Sequence, residues 1–85
     1  MDEEASQQAI VALKDRLNND PQDFDAAVQL GNMYYDINNA AQSIVYYNVA
    51  LSIRPNQPEI MTDMATMYWR NGDLGLAEEY FRAVI

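Results

Sequence analysis

Residues 21–51 read PQDFDAAVQLGNMYYDINNAAQSIVYYNVAL, and residues 55–85 repeat that pattern as PNQPEIMTDMATMYWRNGDLGLAEEYFRAVI. At an offset of 34 positions, the identical pairs are Pro21/Pro55, Met33/Met67, Tyr34/Tyr68 and Tyr46/Tyr80. Other pairs keep size and polarity, among them Asp25/Glu59, Leu30/Met64, Gly31/Ala65, Tyr35/Trp69, Ser43/Ala77, Tyr47/Phe81 and Leu51/Ile85. A fixed period of this length is typical of stacked supersecondary units, each of which needs a neighbour to bury its apolar face.

Each repeat is predicted to contain two helices, and one further helix precedes them. The spacing of apolar residues predicts helices over 3–18, 24–37, 40–53 and 58–70, and a fifth from about Leu74. Pro21, Pro55 and the turns Asn38-Asn39 and Asn71-Gly72-Asp73 separate them, since proline and left-handed Asn or Gly end helices. Asp23, Asn39 and Asp73 are the predicted N-caps, and Gln42 suggests a capping box with Asn39. Pro58 suits the first turn of the fourth helix.

The inward-facing residues follow from the same spacing. The predicted core is Ala9, Ile10, Leu13 and Leu17 in the first helix; Ala27, Leu30, Gly31, Tyr34 and Ile37 in the second; Ile44, Tyr47, Ala50 and Leu51 in the third; Met61, Met64, Ala65 and Tyr68 in the fourth; and Ala77, Tyr80, Phe81, Val84 and Ile85 in the fifth. The last pattern runs to Ile85 without a C-cap signal. We therefore expect a boundary within a longer protein there, or an end covered by another molecule.

Length and charge narrow the class of protein. The chain has 85 residues, of which 49% are hydrophobic, so a single small globular domain is expected. Its formal charge of −8 disfavours nucleic acid and anionic membranes as partners; it favours basic peptides, or simply a solvated surface. No run is long and apolar enough for a membrane span, and the acidic start Asp2-Glu3-Glu4 is unlike a signal peptide. A soluble protein is expected, with the cytoplasm as the default compartment.

Helical pairs of this period resemble the tetratricopeptide repeat family. The family pattern falls on Ala27, Leu30-Gly31, Tyr34, Ser43, Tyr47, Ala50 and Pro55, and again on Met61, Met64-Ala65, Tyr68, Ala77, Phe81 and Val84. The resemblance implies one domain over 1–85, with the second helix of a preceding repeat at 3–21, a full repeat at 24–57 and a truncated repeat at 58–85. It also implies an all-α, right-handed solenoid of antiparallel helix pairs. Arg16 stands where the family has a small residue, which suggests that the first helix packs at an open edge.

The family's first helices line a concave groove that usually binds a peptide and is not usually catalytic. Here the groove positions are Asp25, Val28, Gln29, Asn32, Tyr35, Asp36, Glu59, Thr62, Asp63, Thr66, Trp69 and Arg70. All but Val28 are the predicted partner-binding residues, because aromatic rings supply contact area and amides pair with peptide backbone. The alternative is that Tyr35 and Trp69 only pack against a neighbouring repeat. An acidic groove with Val28 and Asp63 at two family carboxylate-clamp positions disfavours a C-terminal carboxylate and favours Lys- or Arg-containing partners.

No residue pattern predicts catalysis, a cofactor or a metal. The chain has neither His nor Cys, so the commonest general base and the usual transition-metal ligands are missing. Met61, Met64 and Met67 could ligate Cu(I) or form an adaptable surface, but their helical spacing favours core packing. Asp23/Asp25 and Glu78/Glu79 suit a helix start and a solvated face better than a catalytic pair.

The sequence therefore predicts a noncatalytic scaffold that binds a basic or polar peptide or protein segment in a concave groove. The alternative is a self-assembling module that stacks through its open ends into a homo-oligomer. An enzyme is the third and weakest hypothesis.

Overall fold

Five α-helices account for the regular structure of residues 3–84, the part of the chain that the computed structural model describes, with side chains from Glu4 onward. They are α1 (Glu3–Asn19), α2 (Phe24–Asp36), α3 (Ala40–Ile53), α4 (Pro58–Arg70) and α5 (Leu74–Val84). No strand occurs within this range, so the predicted all-α fold is confirmed. The bounds of α3 and α4 match the prediction, α1 extends one residue further, and α2 stops one residue earlier. None of these helices combines the length and apolar character that a membrane crossing needs.

Left-handed backbone residues make the turns. Asn38 has φ 59° between α2 and α3, and Gly72 has φ 87° between α4 and α5, as their sequence positions predicted. Asn56 also has a positive φ of 63° in the linker before α4, which the sequence analysis missed. Asp73, a predicted N-cap, accepts a hydrogen bond from the Asn71 side chain at 3.0 Å.

Side-chain caps fix the starts of α2 and α3. Asp23 Oδ1 accepts from the Ala26 amide at 3.0 Å, which confirms the predicted cap of α2. Asn39 Oδ1 accepts from the Gln42 amide at 3.2 Å. In a complete capping box the Gln42 side chain would in turn accept from the Asn39 amide. Here the Asn39 amide donates instead to the Tyr34 carbonyl at 2.8 Å.

The same aromatic contact joins the two helices of each hairpin. Tyr34 of α2 stacks on Tyr46 of α3 with ring centroids 5.8 Å apart, and Tyr68 of α4 stacks on Tyr80 of α5 at 5.6 Å. Stacked rings at this distance stabilise the contact beyond the effect of the apolar area that they bury. The pairs Tyr34/Tyr68 and Tyr46/Tyr80 are two of the four identical pairs between the repeats. Both are explained by this one stacking contact, which occurs in each hairpin.

The predicted core is largely confirmed. The buried apolar side chains are Ile10, Leu13, Ala26, Ala27, Leu30, Tyr34, Ile44, Tyr47, Ala50, Ile60, Met64, Ala65, Met67 and Ala77. Met64 and Met67 are fully buried and Met61 is half-buried, which supports the packing interpretation of the methionines. The prediction missed Ala26 and Ile60.

Two core predictions were wrong. Ile37 is 49% exposed because α2 ends at Asp36 and Ile37 lies in the turn. Phe81 is 38% exposed because its side of α5 packs against no other described helix. Ile85 lies outside the described residues.

The helices stack in sequence order, and the first helices of the two hairpins also touch. Each helix contacts the next, and α2 contacts α4. Turns of three residues (37–39 and 71–73) reverse the chain within each hairpin. Ser43, fully buried, donates to the Gly31 carbonyl at 2.9 Å and ties α3 to α2. As a result, one continuous surface runs across α2 and α4.

Candidate partner-binding surface

The predicted site residues all lie on α2 and α4. We use the name inner face for the subset that the structure brings together across these two helices: Asn32, Tyr35, Asp36, Glu59, Asp63 and Arg70. The contacts described below link them directly or through Tyr47 of α3. The neighbouring Gln29, Thr62, Thr66 and Trp69 occupy the same two helices, and Asp25 begins the surface near α1.

Three carboxylates form the acidic centre of the inner face. Asp63 is half-buried, and this burial raises its pKa above the ordinary 3.8. The charges of Glu59, one helical turn away, and Asp36, on α2, raise the pKa further. Negative charge is therefore concentrated where α2 and α4 meet.

Tyr47 forms the floor beneath these carboxylates. Its hydroxyl donates to Asn32 Oδ1 at 2.5 Å, and its ring is only 1% exposed. Burial, together with the nearby Asp63 charge, raises the pKa of the phenol well above its usual range, so the hydroxyl keeps its proton at physiological pH. This hydrogen bond fixes the Asn32 carbonyl oxygen and leaves the Asn32 amide nitrogen, on an exposed residue, able to donate to a ligand.

An aromatic and cationic group stands beside the acidic centre. The Arg70 guanidinium carbon lies 5.2 Å from the Tyr35 ring centroid, and Arg70 Nη1 donates to Asn38 Oδ1 at 3.2 Å. Tyr35 is half-buried beneath this arginine, whereas Trp69 is 61% exposed. Of the two aromatic residues, Trp69 is therefore exposed to solvent, whereas Arg70 covers one face of the Tyr35 ring.

The α1 side of the surface is already bonded within the chain. Arg16 forms ion pairs with Asp23 at 3.1 Å and with Asp25 at 3.3 Å, and Gln29 donates to Asp25 at 2.6 Å. Arg16 occupies a position where the family has a small residue, and here its long side chain bridges α1 to the start of α2. Asp25 and Gln29 remain exposed, but they bind each other.

The hydroxyl groups of α4 also have internal acceptors. Thr62 donates to the Pro58 carbonyl at 2.8 Å, and Thr66 donates to the Thr62 carbonyl at 3.1 Å. Each hydroxyl oxygen can still accept a hydrogen bond from a ligand.

Two open cavities flank the acidic centre at the starting end of α4. One, of 430 Å³, is lined by Pro58, Glu59, Thr62, Asp63 and Val84. The other, of 540 Å³, is lined by Phe24, Val28, Gln57, Pro58, Glu59 and Ile60. Sequence reasoning missed the contribution of Phe24, Pro58 and Val84; the only sequence signal for Val28 was its groove position.

All five cationic side chains of the protein contact other residues of the chain, and none of them forms an ion pair with a carboxylate of the acidic centre. Their contacts are Lys14 over the Tyr34 ring at 5.7 Å, Arg16 with Asp23 and Asp25, Arg54 over the Phe24 ring at 4.6 Å, Arg70 over Tyr35, and Arg82 with Glu78 at 2.5 Å. Within the described residues, Asp36, Glu59 and Asp63 form no ion pair. Across residues 4–84, no three metal-binding side chains are grouped so that they could hold an ion.

Comparison with known proteins identifies the repeat. The family model described as tetratricopeptide repeat matches residues 24–57 and again residues 58–85. A search of curated proteins found no match. Tetratricopeptide repeats generally mediate protein–protein interactions and are typically noncatalytic. The paired helices, the repeated tyrosine stack and the family match over both repeats together show that this chain belongs to the tetratricopeptide repeat family.

Proposed function

We propose that the inner face binds a basic or polar segment of a partner protein and that the chain acts as a noncatalytic scaffold. The observation that carries the proposal is the unneutralised acidic centre. Asp63 is half-buried beside Glu59 and Asp36, and within the described residues no Lys or Arg forms an ion pair with any of the three. A Lys or Arg side chain from a partner would relieve that repulsion, because an opposite charge nearby favours the ionised carboxylate.

The surroundings of the acidic centre suit a peptide. Trp69 offers exposed aromatic area at one end, and Phe24, Val28 and Pro58 offer apolar area at the other. The free donors of Asn32 lie between them and can pair with a peptide carbonyl. Aromatic anchors beside polar groups are typical of interface centres.

Fluorescence anisotropy with a labelled lysine-containing peptide tests the proposal, with a glutamate-containing peptide of the same length as the ligand control. The double variant Asp36→Asn/Asp63→Asn should weaken lysine-peptide binding about tenfold, since exposed and half-buried ion pairs contribute up to roughly 1 kcal/mol each. The control protein is Asp15→Asn/Asp20→Asn, which removes the same charge from exposed positions outside the inner face.

Equal weakening in both double variants would show that only net charge matters and would contradict the proposed site. Tight binding of the glutamate peptide would contradict the proposed basic partner. Trp69→Ala supplies a further check, because this exposed ring can be removed without opening the core. We expect Trp69→Ala to weaken binding and leave the helical circular dichroism signal unchanged.

Self-association through α5 is a second candidate function. Three large apolar side chains of α5, Leu74, Leu76 and Phe81, are 60%, 41% and 38% exposed, and exposed apolar area of this kind can form a protein–protein contact. Sedimentation at several concentrations tests this candidate. A monomer at every concentration would exclude it.

We also propose the division of the chain into helix pairs. Residues 24–57 form one full repeat and 58–85 a second, truncated one, while 3–21 correspond to the second helix of a preceding repeat. The support is that α1 packs on α2 as α3 packs on α4. Unfolding experiments on a chain with α1 deleted would test this division: the two hairpins should remain helical.

A further inference from the structure

The turn between α4 and α5 contains the one asparagine of the chain that is followed by glycine, in the pair Asn71-Gly72. An asparagine side chain can react with the next main-chain nitrogen, and glycine leaves this nitrogen open because it has no β-carbon. A β-carbon added at Gly72 would meet no atom within 4 Å. Asn71 is exposed and lines an open cleft of 970 Å³ between the two hairpin turns, so water reaches its side chain.

The folded turn keeps the two reacting groups apart. Asn71 has ψ −3°, so the Gly72 nitrogen eclipses the main-chain nitrogen of Asn71 instead of facing its side-chain carbon Cγ. The Gly72 amide donates to the Trp69 carbonyl at 3.1 Å, and Asn71 Nδ2 donates to Asp73 Oδ2 at 3.0 Å. A bond between the Gly72 nitrogen and Cγ therefore requires rotation about ψ and loss of both hydrogen bonds, which means local opening of the turn.

The first hairpin makes an equivalent turn from a different sequence. The residues 34 positions earlier are Ile37-Asn38-Asn39. Asn38 has φ 59° where Gly72 has φ 87°, and the amide after this left-handed residue donates to a tyrosine carbonyl at 2.8 Å in both turns. The fold therefore does not need the Asn-Gly pair, and asparagine can occupy the position of Gly72.

We propose that Asn71 deamidates spontaneously when the α4–α5 turn opens, and that the products weaken this turn. The Gly72 nitrogen loses its proton to water or hydroxide and forms a bond to Asn71 Cγ. Nδ2 takes up a proton and leaves as ammonia, which gives a five-membered succinimide ring. Water then breaks one of the two ring C–N bonds: cleavage at Cγ yields aspartate, and cleavage at the main-chain carbonyl yields isoaspartate.

Both products disturb contacts that the turn now makes. The new carboxylate replaces the amide that donates to Asp73, so a hydrogen bond becomes a pair of like charges. It also lies at the C-terminal end of α4, where the helix dipole disfavours negative charge. Isoaspartate in addition lengthens the main chain by one carbon atom. This displaces the hydrogen bonds from Gly72 to the Trp69 carbonyl and from Asp73 to the Tyr68 carbonyl.

Mass spectrometry of the full chain after incubation in mildly alkaline buffer, with and without urea, tests the reaction. Trypsin releases residue 71 in the peptide 71–82. In urea, Asn71 should convert at least tenfold faster than any other asparagine; without urea it should convert at least tenfold more slowly than in urea, because the turn must first open. The variant Gly72→Asn, which copies Asn38, should keep the helical circular dichroism signal and slow the conversion in urea at least tenfold.

A rate at Asn71 no higher than at other asparagines in urea would overturn the proposed site, as would an unchanged rate in Gly72→Asn. Equal rates with and without urea would overturn the protection by the folded turn. Thermal unfolding tests the consequence: Asn71→Asp should have a lower Tm than Asn48→Asp, which adds the same charge at an exposed position of α3. Converted protein that contains isoaspartate should have a lower Tm still. An unchanged Tm after conversion would overturn the proposed weakening of the turn.

Discussion

The tight contact between Gly31 of α2 and Tyr47 of α3 predicts that one added methyl group, in the variant Gly31→Ala, will destabilise the protein. A β-carbon at Gly31 would lie 2.5 Å from Tyr47 Cε1 and 3.0 Å from Tyr47 Cγ. Carbon atoms in good contact are about 3.5–4.0 Å apart. The Tyr47 ring is 1% exposed and its hydroxyl is bonded to Asn32, so the ring has no free space into which it can move.

The expected size follows from two opposing effects. Overpacking of a close-packed core costs about 1–3 kcal/mol. Replacing glycine by alanine inside a helix contributes about 1 kcal/mol in the opposite direction. Gly31→Ala should therefore lower the free energy of unfolding by about 1 kcal/mol, which corresponds to a Tm decrease of roughly 4–8 °C in a domain of this size.

Gly75→Ala is the matched control. A β-carbon at Gly75, in the first turn of α5, meets no atom within 4 Å. This substitution should raise stability by up to about 1 kcal/mol, because only the helix-propensity effect remains. Thermal and urea unfolding followed by circular dichroism measure both variants. If Gly31→Ala raised the Tm as Gly75→Ala does, the tight packing of Tyr47 on α2 would be wrong.

Two further stability predictions follow from single contacts. Ser43→Ala should lower the free energy of unfolding by about 1 kcal/mol, because it removes a buried hydrogen bond to the Gly31 carbonyl. The control Ser52→Ala, at an exposed position, should change it little. If urea unfolding showed the same decrease in free energy for both variants, this prediction would be wrong. Asp63→Asn should raise the Tm at neutral pH and weaken lysine-peptide binding. Since the pKa of Asp63 is higher in the folded protein than its ordinary 3.8, the folded state binds the proton more tightly, and stability falls as pH rises through the folded pKa. This loss of stability with rising pH should be absent from the melting temperatures of Asp63→Asn. If it persisted in that variant, Asp63 would not be its source.

The helices and their order could be predicted because their signals are local. The Asp23 cap, the left-handed Asn38 and Gly72, and proline at the start of α4 each act within a few residues of their position. Burial of Leu30 and Met64 followed from helical periodicity alone. The predicted burial of Ile37 was wrong because the end of a helix is less well defined by its sequence than its middle. An error of one residue there places a side chain in the core that in fact lies in a turn.

The contacts that shape the inner face could not be predicted in this way. The Arg16 bridge to Asp23 and Asp25 depends on how α1 crosses α2, and the Arg70 contact with Tyr35 depends on how α4 lies against α2. Long side chains reach partners that no sequence spacing specifies. Sequence reasoning therefore named Tyr35 and Trp69 as similar surfaces, whereas the structure covers one and exposes the other.

The most direct test of the proposed function is a chemical-shift map of the isotope-labelled protein during titration with the lysine-containing peptide. We expect the largest amide shift changes on α2 and α4, at Asn32, Asp36, Asp63 and Thr66, and no change at the amides near Val11 on α1 and Val45 on α3. Shift changes concentrated on α1 and α3, with the inner face unaffected, would contradict it.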